Sequence, residues 1–376
     1  MSPDHKFITV SSNYRLGALG WMSSETEPDM DANTGLWDAL AALEWTKEYI
    51  SYFGGDPDDI TVIGESSGGG IAQHLITAFG GETEVPFSKA ILTSPGYRPH
   101  VDRSEGMTNI YDAFLNATNC TDVACLRELS TEDIQQAQIA LYDIPSSGWL
   151  GPDIGYGPII DGDLVTDIPD RLLAQGKWNK NVKKVLTANM ALDGLGGTVT
   201  NPSTWEEQLG YYMTSPTPEA VELAQQVFGS NLTTGAIAFN KAAIYACHAY
   251  FTAAAFRNAS STSAYKYEMS IPPATHGQDQ FYYFFVSEET AGESVGEPEV
   301  ARRMQQYFRN FVFDGRMGGG ACDGSGNVTT HWPAYGREER WMNITADGFG
   351  VVYGEEVLRT QCEALLTMIN DPANGS

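Results

Sequence analysis

Basic residues are scarce: 22 Lys and Arg stand against 48 Asp and Glu in 376 residues, a formal charge of -26. A field of that sign repels nucleic acid and anionic membrane surfaces, so neither is expected as a partner, and it keeps a chain soluble near neutral pH. None of the five cysteines forms a CxxC pair and no histidine stands at ligand spacing from one, so no metal site and no cofactor is expected. Cys120 and Cys125 are spaced to close a small surface loop as a disulfide, which leaves one odd thiol and an open pairing among Cys247, Cys322 and Cys362. No apolar run reaches the roughly 18 residues a membrane span needs. Low-complexity tracts and internal repeats are also absent. The stretch Met1–Val10 has no basic start, no apolar core and no cleavage site, and reads as the interior of a domain rather than a leader. Seven N-x-S/T acceptors, at Asn116, Asn119, Asn231, Asn258, Asn327, Asn343 and Asn374, point the other way, to a secreted glycoprotein.

What is present centres on Asp59–Gly70, a β-branched run that ends in Gly64-Glu65-Ser66-Ser67-Gly68 and continues into an apolar helical segment. Strand, sharp turn and helix in that order make a nucleophile elbow. A serine at the tip takes a strained backbone conformation, and glycines two before and two after it are expected to let strand and helix pass closely. Ser66 alone has both. The turn exposes its hydroxyl near a helix N-terminus, where the Ser67 N–H can face a developing oxyanion.

Taken in order, Lys6–Ser12 reads as an opening strand, and Asn33 or Thr34 caps an amphipathic helix that runs on to Ile50. Lys89–Ser94 is the next parallel strand, because a strand, helix and strand of this length require a crossover. Helices are expected from Met107 to about Asp143 and from Pro216 to Phe256, and strands at Asn181–Ala188 and Ala264–Ser270. Val300–Phe313 reads as a surface helix and Gly354–Ile369 as a closing one. Asp161-Gly162-Asp163 reads as a turn despite its two carboxylates. The length and pattern fit one domain over residues 1–376.

Several segments then carry a family resemblance: Asn13-Tyr-Arg-Leu-Gly17, Gly35-Leu36-x-Asp38, Leu43-x-Trp45, Phe53-Gly-Gly-Asp-Pro57, Gly64-Glu-Ser-Ser-Gly-Gly69, Cys125-Leu-Arg127 and Trp332-Pro-Ala-Tyr335. In this order and spacing they resemble type-B carboxylesterases, the family of the cholinesterases and the fungal extracellular lipases. The resemblance implies an α/β-hydrolase fold, a mostly parallel central sheet flanked by helices, with Ser66 as nucleophile. It puts Asp193, at the end of the Asn181–Ala188 strand, where the family has a glutamate. Aspartate is one methylene shorter, so the histidine must sit closer or the backbone must shift. It also implies that Ser94 supports this acid, an alternative to simply capping its strand.

His276, in the loop after the Ala264–Ser270 strand and followed by Gly277-Gln-Asp279, resembles the family's histidine segment. The chain order Ser66, Asp193, His276 is the α/β-hydrolase order. His5, His74, His100, His248 and His331 read as structural or solvated. Glu65 is expected to leave the turn on the side away from the chemistry and to act indirectly.

The implied function is a serine hydrolase of carboxylic esters, taking a small-molecule or lipid ester through an acyl-enzyme. The alternative is a non-catalytic, cholinesterase-like interaction module. In the family a His-Gly-Gly-Gly oxyanion loop and its strand precede the Asn-Tyr-Arg-Leu-Gly segment, which here begins at residue 13. The expectation is therefore an N-terminally truncated form lacking those strands and that loop, with each lost oxyanion donor removing about 2.7 to 4 kcal/mol of transition-state stabilisation.

Overall fold

The computed structural model describes residues 7–99, 104–142, 156–195, 202–257, 261–318 and 330–375. Among them, six strands form one sheet in sequential order: β1 Thr61–Glu65, β2 Lys89–Thr93, β3 Lys184–Met190, β4 Ser263–Met269, β5 Arg340–Thr345 and β6 Gly348–Tyr353. The first five run parallel and β6 returns antiparallel, so the sheet is mostly parallel, as expected. β2 and most of β3 and β4 are buried on both faces, as a central parallel sheet requires.

Successive strand residues point to opposite faces and feed two cores. Ala90, Leu92, Val185 and Ala264 pack on one side against the elbow helix Ser67–Thr77 and the helix Cys247–Arg257. Ile91, Leu186, Ala188, Tyr265 and Tyr267 pack on the other against the helix Pro298–Asp314 and the short helix Asp279–Tyr283. The helix Pro298–Asp314 buries Val300, Ala301, Met304, Tyr307, Phe308 and Phe311, a stripe at helical spacing.

Two expectations fail. Residues 7–12 form no strand; they lie exposed, with Phe7 set edge-on to Phe313 at 6.2 Å. Their apolar residues satisfy the pattern of a strand, but no ladder partner takes up their backbone groups, and β1 pairs only with β2. The hairpin β5–β6 was not expected. Its signal was Asp347-Gly348 between two apolar runs, with Gly348 at φ 116°.

Two disulfides are present: Cys120–Cys125, as expected, and Cys247–Cys362, which resolves the open pairing. Cys322, like Asn258 and Asn327, lies outside the described residues. Of the remaining acceptor asparagines, Asn116, Asn119 and Asn231 are exposed, whereas Asn374 is 1% exposed. Its side chain donates to the Met368 carbonyl and accepts from the Thr217 N–H, so that acceptor is closed in the fold. Among the described residues no helix is long and apolar enough to cross a membrane.

Candidate active site

The elbow is built where β1 ends at Glu65 and the helix Ser67–Thr77 begins. Ser66 caps that helix at φ 55° and ψ -123°, a left-handed conformation that costs a non-glycine residue of order 1 kcal/mol or more. The strain is held by a tight set of backbone bonds. The Ser66 N–H donates to Thr93 O at 3.0 Å, and Ser66 O accepts from Gly70 N–H at 2.9 Å and Gly96 N–H at 2.7 Å.

The flanking glycines divide differently from the sequence expectation. A Cβ on Gly64 would lie 2.2 Å from the Gly68 carbonyl oxygen, so strand and helix do cross there. A Cβ on Gly68 would meet nothing within 4 Å. The other close approaches are at Gly69, against Pro95, and Gly70, against the Gly96 carbonyl.

One side chain, His276, reaches the Ser66 hydroxyl, and it links that hydroxyl to a buried carboxylate. His276 Nε2 is 2.7 Å from Ser66 Oγ, and His276 Nδ1 is 2.9 Å from Asp193 Oδ1. With Nδ1–H donating to the carboxylate, Nε2 keeps a lone pair for the serine proton. Asp193 is fully buried at the head of a short helical turn, and its Oδ2 accepts from the Met190 N–H at 2.6 Å and from Ser94 Oγ at 3.0 Å. Ser94 thus contacts Asp193 directly. Aspartate reaches the imidazole at hydrogen-bond distance despite its shorter side chain. Leu192 N–H donates to Ala274 O at 2.9 Å and Leu192 bridges to Thr275, which ties the end of β3 to the His276 loop on both sides of the pair.

Glu65 corrects an expectation. Its Oε1 lies 3.4 Å from His276 Nε2, facing the imidazole rather than away from it. The sequence reading treated the side chain as leaving the turn on the far side, but at the end of β1 its carboxylate reaches the ring of the His276 loop. Burial raises the Glu65 carboxyl above its usual range, with the nearby imidazole opposing and Asp193 adding to the shift. Burial would lower His276, but the hydrogen bond and charge of Asp193, aided by Glu65 and Asp279, win and raise it.

Sequence reasoning assigned no role to two further groups. Asp279, three residues after His276, is fully buried and accepts from Tyr267 OH at 2.6 Å; burial first, then the charges of Asp193 and Glu65, raise its carboxyl to about 7 against the hydroxyl's opposing pull. Tyr245 lies on a π-helical turn, Ala242–Ala246, and sets its ring 4.3 Å from the His276 ring. The spacing of that buried face showed a helix, and nothing in it showed the local widening to a π turn. His248 is buried elsewhere, with Nδ1 2.7 Å from Asp170 Oδ2 and Nε2 3.1 Å from Tyr97 O; it is structural, as expected. His74 is likewise buried against Gly70 O, and His331 is exposed, while His5 and His100 lie outside the described residues. Among the described residues no cluster of three or more His, Cys, Asp or Glu side chains could hold a metal.

Comparison with known proteins gives a consistent picture. The carboxylesterase family model matches residues 3–363. A carboxylesterase of Aspergillus clavatus, patB, is 32% identical over 330 residues, which are 83% of this chain and 57% of that protein. A secreted lipase of Arthroderma benhamiae is 27% identical over 382 residues, covering 97% of this chain and 71% of the lipase. The crystal structure of Aspergillus niger EstA superposes with a TM-score of 0.79 at 23% identity, covering 97% of this chain and 74% of that one, which establishes the α/β-hydrolase fold. The chain thus spans a little over half the length of the A. clavatus carboxylesterase it matches, 57%. With the family model running across nearly all of its residues, the chain belongs to the carboxylesterase family.

Proposed function

We propose that this chain is a serine hydrolase of carboxylic esters, folded as one domain, in which Ser66 is the nucleophile, His276 the general base and acid, and Asp193 the residue that holds the imidazole. The observation that carries the reading is the continuous relay from Ser66 Oγ to His276 Nε2 at 2.7 Å and from His276 Nδ1 to Asp193 at 2.9 Å. Ser66 Oγ bonds to the ester carbonyl carbon while its proton passes to His276 Nε2. The carbon–oxygen bond to the alcohol then breaks, and that oxygen takes the proton from His276. Water repeats the cycle on the acyl-enzyme: its proton passes through His276 to Ser66, and the acid leaves. Ser67 opens the elbow helix, so its N–H has no intrahelical acceptor and is offered to the oxyanion.

Ser94 and Glu65 act through the triad. Ser94 restrains the Asp193 carboxylate, and Glu65 stabilises the imidazolium that forms in each half-reaction. The substrate is a small-molecule or lipid ester. Secretion is supported by the two disulfides and by similarity to an A. benhamiae lipase described as secreted. The alternative reading, an interaction module without catalysis, gains nothing from a site that keeps both serine and histidine in contact. Covalent labelling by a serine-directed phosphonate tests the proposal. Mass spectrometry should locate one adduct on Ser66; a folded chain that gains none refutes the hydrolase reading.

A further inference from the structure

Among the described residues several half-buried arginines have acidic partners. Arg257 is 2.7 Å from Glu339 and Arg171 is 2.8 Å from Asp167. Arg98 differs. It is partly buried on the segment Ser94–Pro99 that leaves the end of β2, and no carboxylate among the described residues lies within ion-pair distance of it. Its charged and titratable neighbours are phenols: the guanidinium carbon sits 5.8 Å from the centre of the Tyr212 ring, and Tyr245 is the other group that acts on it. A guanidinium taken out of water without an anion is expensive, and a residue so placed is suited to bidentate capture of a carboxylate.

Its position relates it to the chemistry. Arg98 is two residues from Gly96, whose N–H holds the Ser66 carbonyl at 2.7 Å. Tyr245 stands between the two: a Cβ on Gly96 would come 2.9 Å from the Tyr245 ring, and the same ring lies 4.3 Å from that of His276. The triad and the unpaired cation therefore share Tyr245 as a common wall. The charges packed about His276 are all acidic, Glu65, Asp193 and Asp279, and the chain carries a net -26, so the protein's general field gives an anion no attraction.

We propose that Arg98 is the recognition group for an anionic substituent on the substrate, so that the esters this site takes carry a free carboxylate a short way from the scissile carbonyl. This rests on the hydrolase reading and specifies its substrate class. Tyr212 and Tyr245 form the aromatic walls along which the intervening carbons lie. Tyr212 is fixed for that purpose by its hydroxyl, which donates to Asn240 Oδ1 at 2.7 Å.

The test compares esters matched in length and differing in charge: p-nitrophenyl hydrogen glutarate beside its neutral methyl ester, with the charge on the acyl side, and 4-acetoxybenzoate beside its methyl ester, with the charge on the alcohol side. Moderate salt is used to screen the overall negative field. The protein should prefer the anionic member of one pair by roughly ten- to a hundredfold in kcat/KM, the effect of one charge-assisted contact. The pair that shows it identifies the side of the site. Arg98→Met should abolish or invert the preference, and Arg98→Lys should keep part of it. Equal rates on both members of both pairs, or a preference that survives Arg98→Met, overturns the proposal. A separate arm does not depend on turnover: glutarate titrated calorimetrically into the Ser66→Ala protein should bind, and should not bind once Arg98→Met is added. If no ester is cleaved but glutarate binds through Arg98, the hydrolase reading fails and the anion site stands. If esters are cleaved and glutarate does not bind, the reverse holds.

Discussion

Replacing Glu65 with glutamine removes one negative charge 3.4 Å from His276 Nε2 while keeping the side chain's shape. At an effective dielectric of about 20, two unit charges at that separation interact by roughly 5 kcal/mol, which sets a ceiling. The side chains are 21% and 16% exposed, and solvent screens the pair, so about 1 to 2 kcal/mol is a realistic share, or about one pH unit. The sign follows from which form of the imidazole the carboxylate favours. Glu65 helps hold the proton on His276, whose affinity for it is raised; without that charge the ring loses its proton at lower pH. His276 must be neutral to accept the serine proton, so the acid limb of kcat/KM should move about one unit toward lower pH in Glu65→Gln. The plateau should fall about tenfold, because the imidazolium of the transition state has lost a counter-charge. A pH–rate profile with p-nitrophenyl butyrate from about pH 5 to 9 measures both. An acid limb that stays in place or moves to higher pH refutes the assigned role.

Other perturbations follow from the same geometry. Gly64→Ala places a methyl 2.2 Å from a backbone oxygen and should cost more than about 3 kcal/mol or prevent folding, whereas Gly68→Ala meets open space and should be neutral or stabilising by up to about 1 kcal/mol in urea unfolding. For Asp279, the folded carboxyl is raised to about 7, so its contribution to stability is complete below about pH 4 and is lost as pH rises through 7. Relative to wild type, Asp279→Asn should therefore gain stability between about pH 4 and 8, by at most ~4 kcal/mol; a pH-independent difference would contradict this. The Cys247–Cys362 bridge spans 115 residues and Cys120–Cys125 spans 5, so loop-closure entropy predicts losses of about 4 to 5 and about 2 kcal/mol for the paired alanine variants. Thermal unfolding should rank them in that order.

The elbow was legible because Gly64, Ser66 and the β-branched run before them encode strand, turn and helix within a few residues. The parallel strands β2 and β3 were legible as short β-rich runs and β4 by its alternation, and Asp193 and His276, which stand 2.9 Å apart, were singled out by their place after strands in a familiar chain order. Long-range geometry was not. Glu65 is adjacent to Ser66 in sequence, and its contact with His276 depends on a loop more than 200 residues away that composition cannot place. The run at residues 7–12 has strand-like composition, but strand formation depends on a partner that composition cannot supply. β5 and β6 were missed although Asp347-Gly348 is a hairpin turn, because Arg340, Asn343 and two glycines interrupt their apolar residues. Tyr245 carries no local motif; a π-helical turn brings its ring to His276.

The central claim is that the relay ending at Ser66 performs ester hydrolysis. The most direct measurement is the rate of p-nitrophenyl butyrate hydrolysis by the chain and by its Ser66→Ala variant, with both shown to be folded by the same far-ultraviolet circular dichroism. The relay predicts turnover in the first and a loss of at least about 10³-fold in the second. Equal rates in the two proteins, or no turnover by a folded chain, would contradict it.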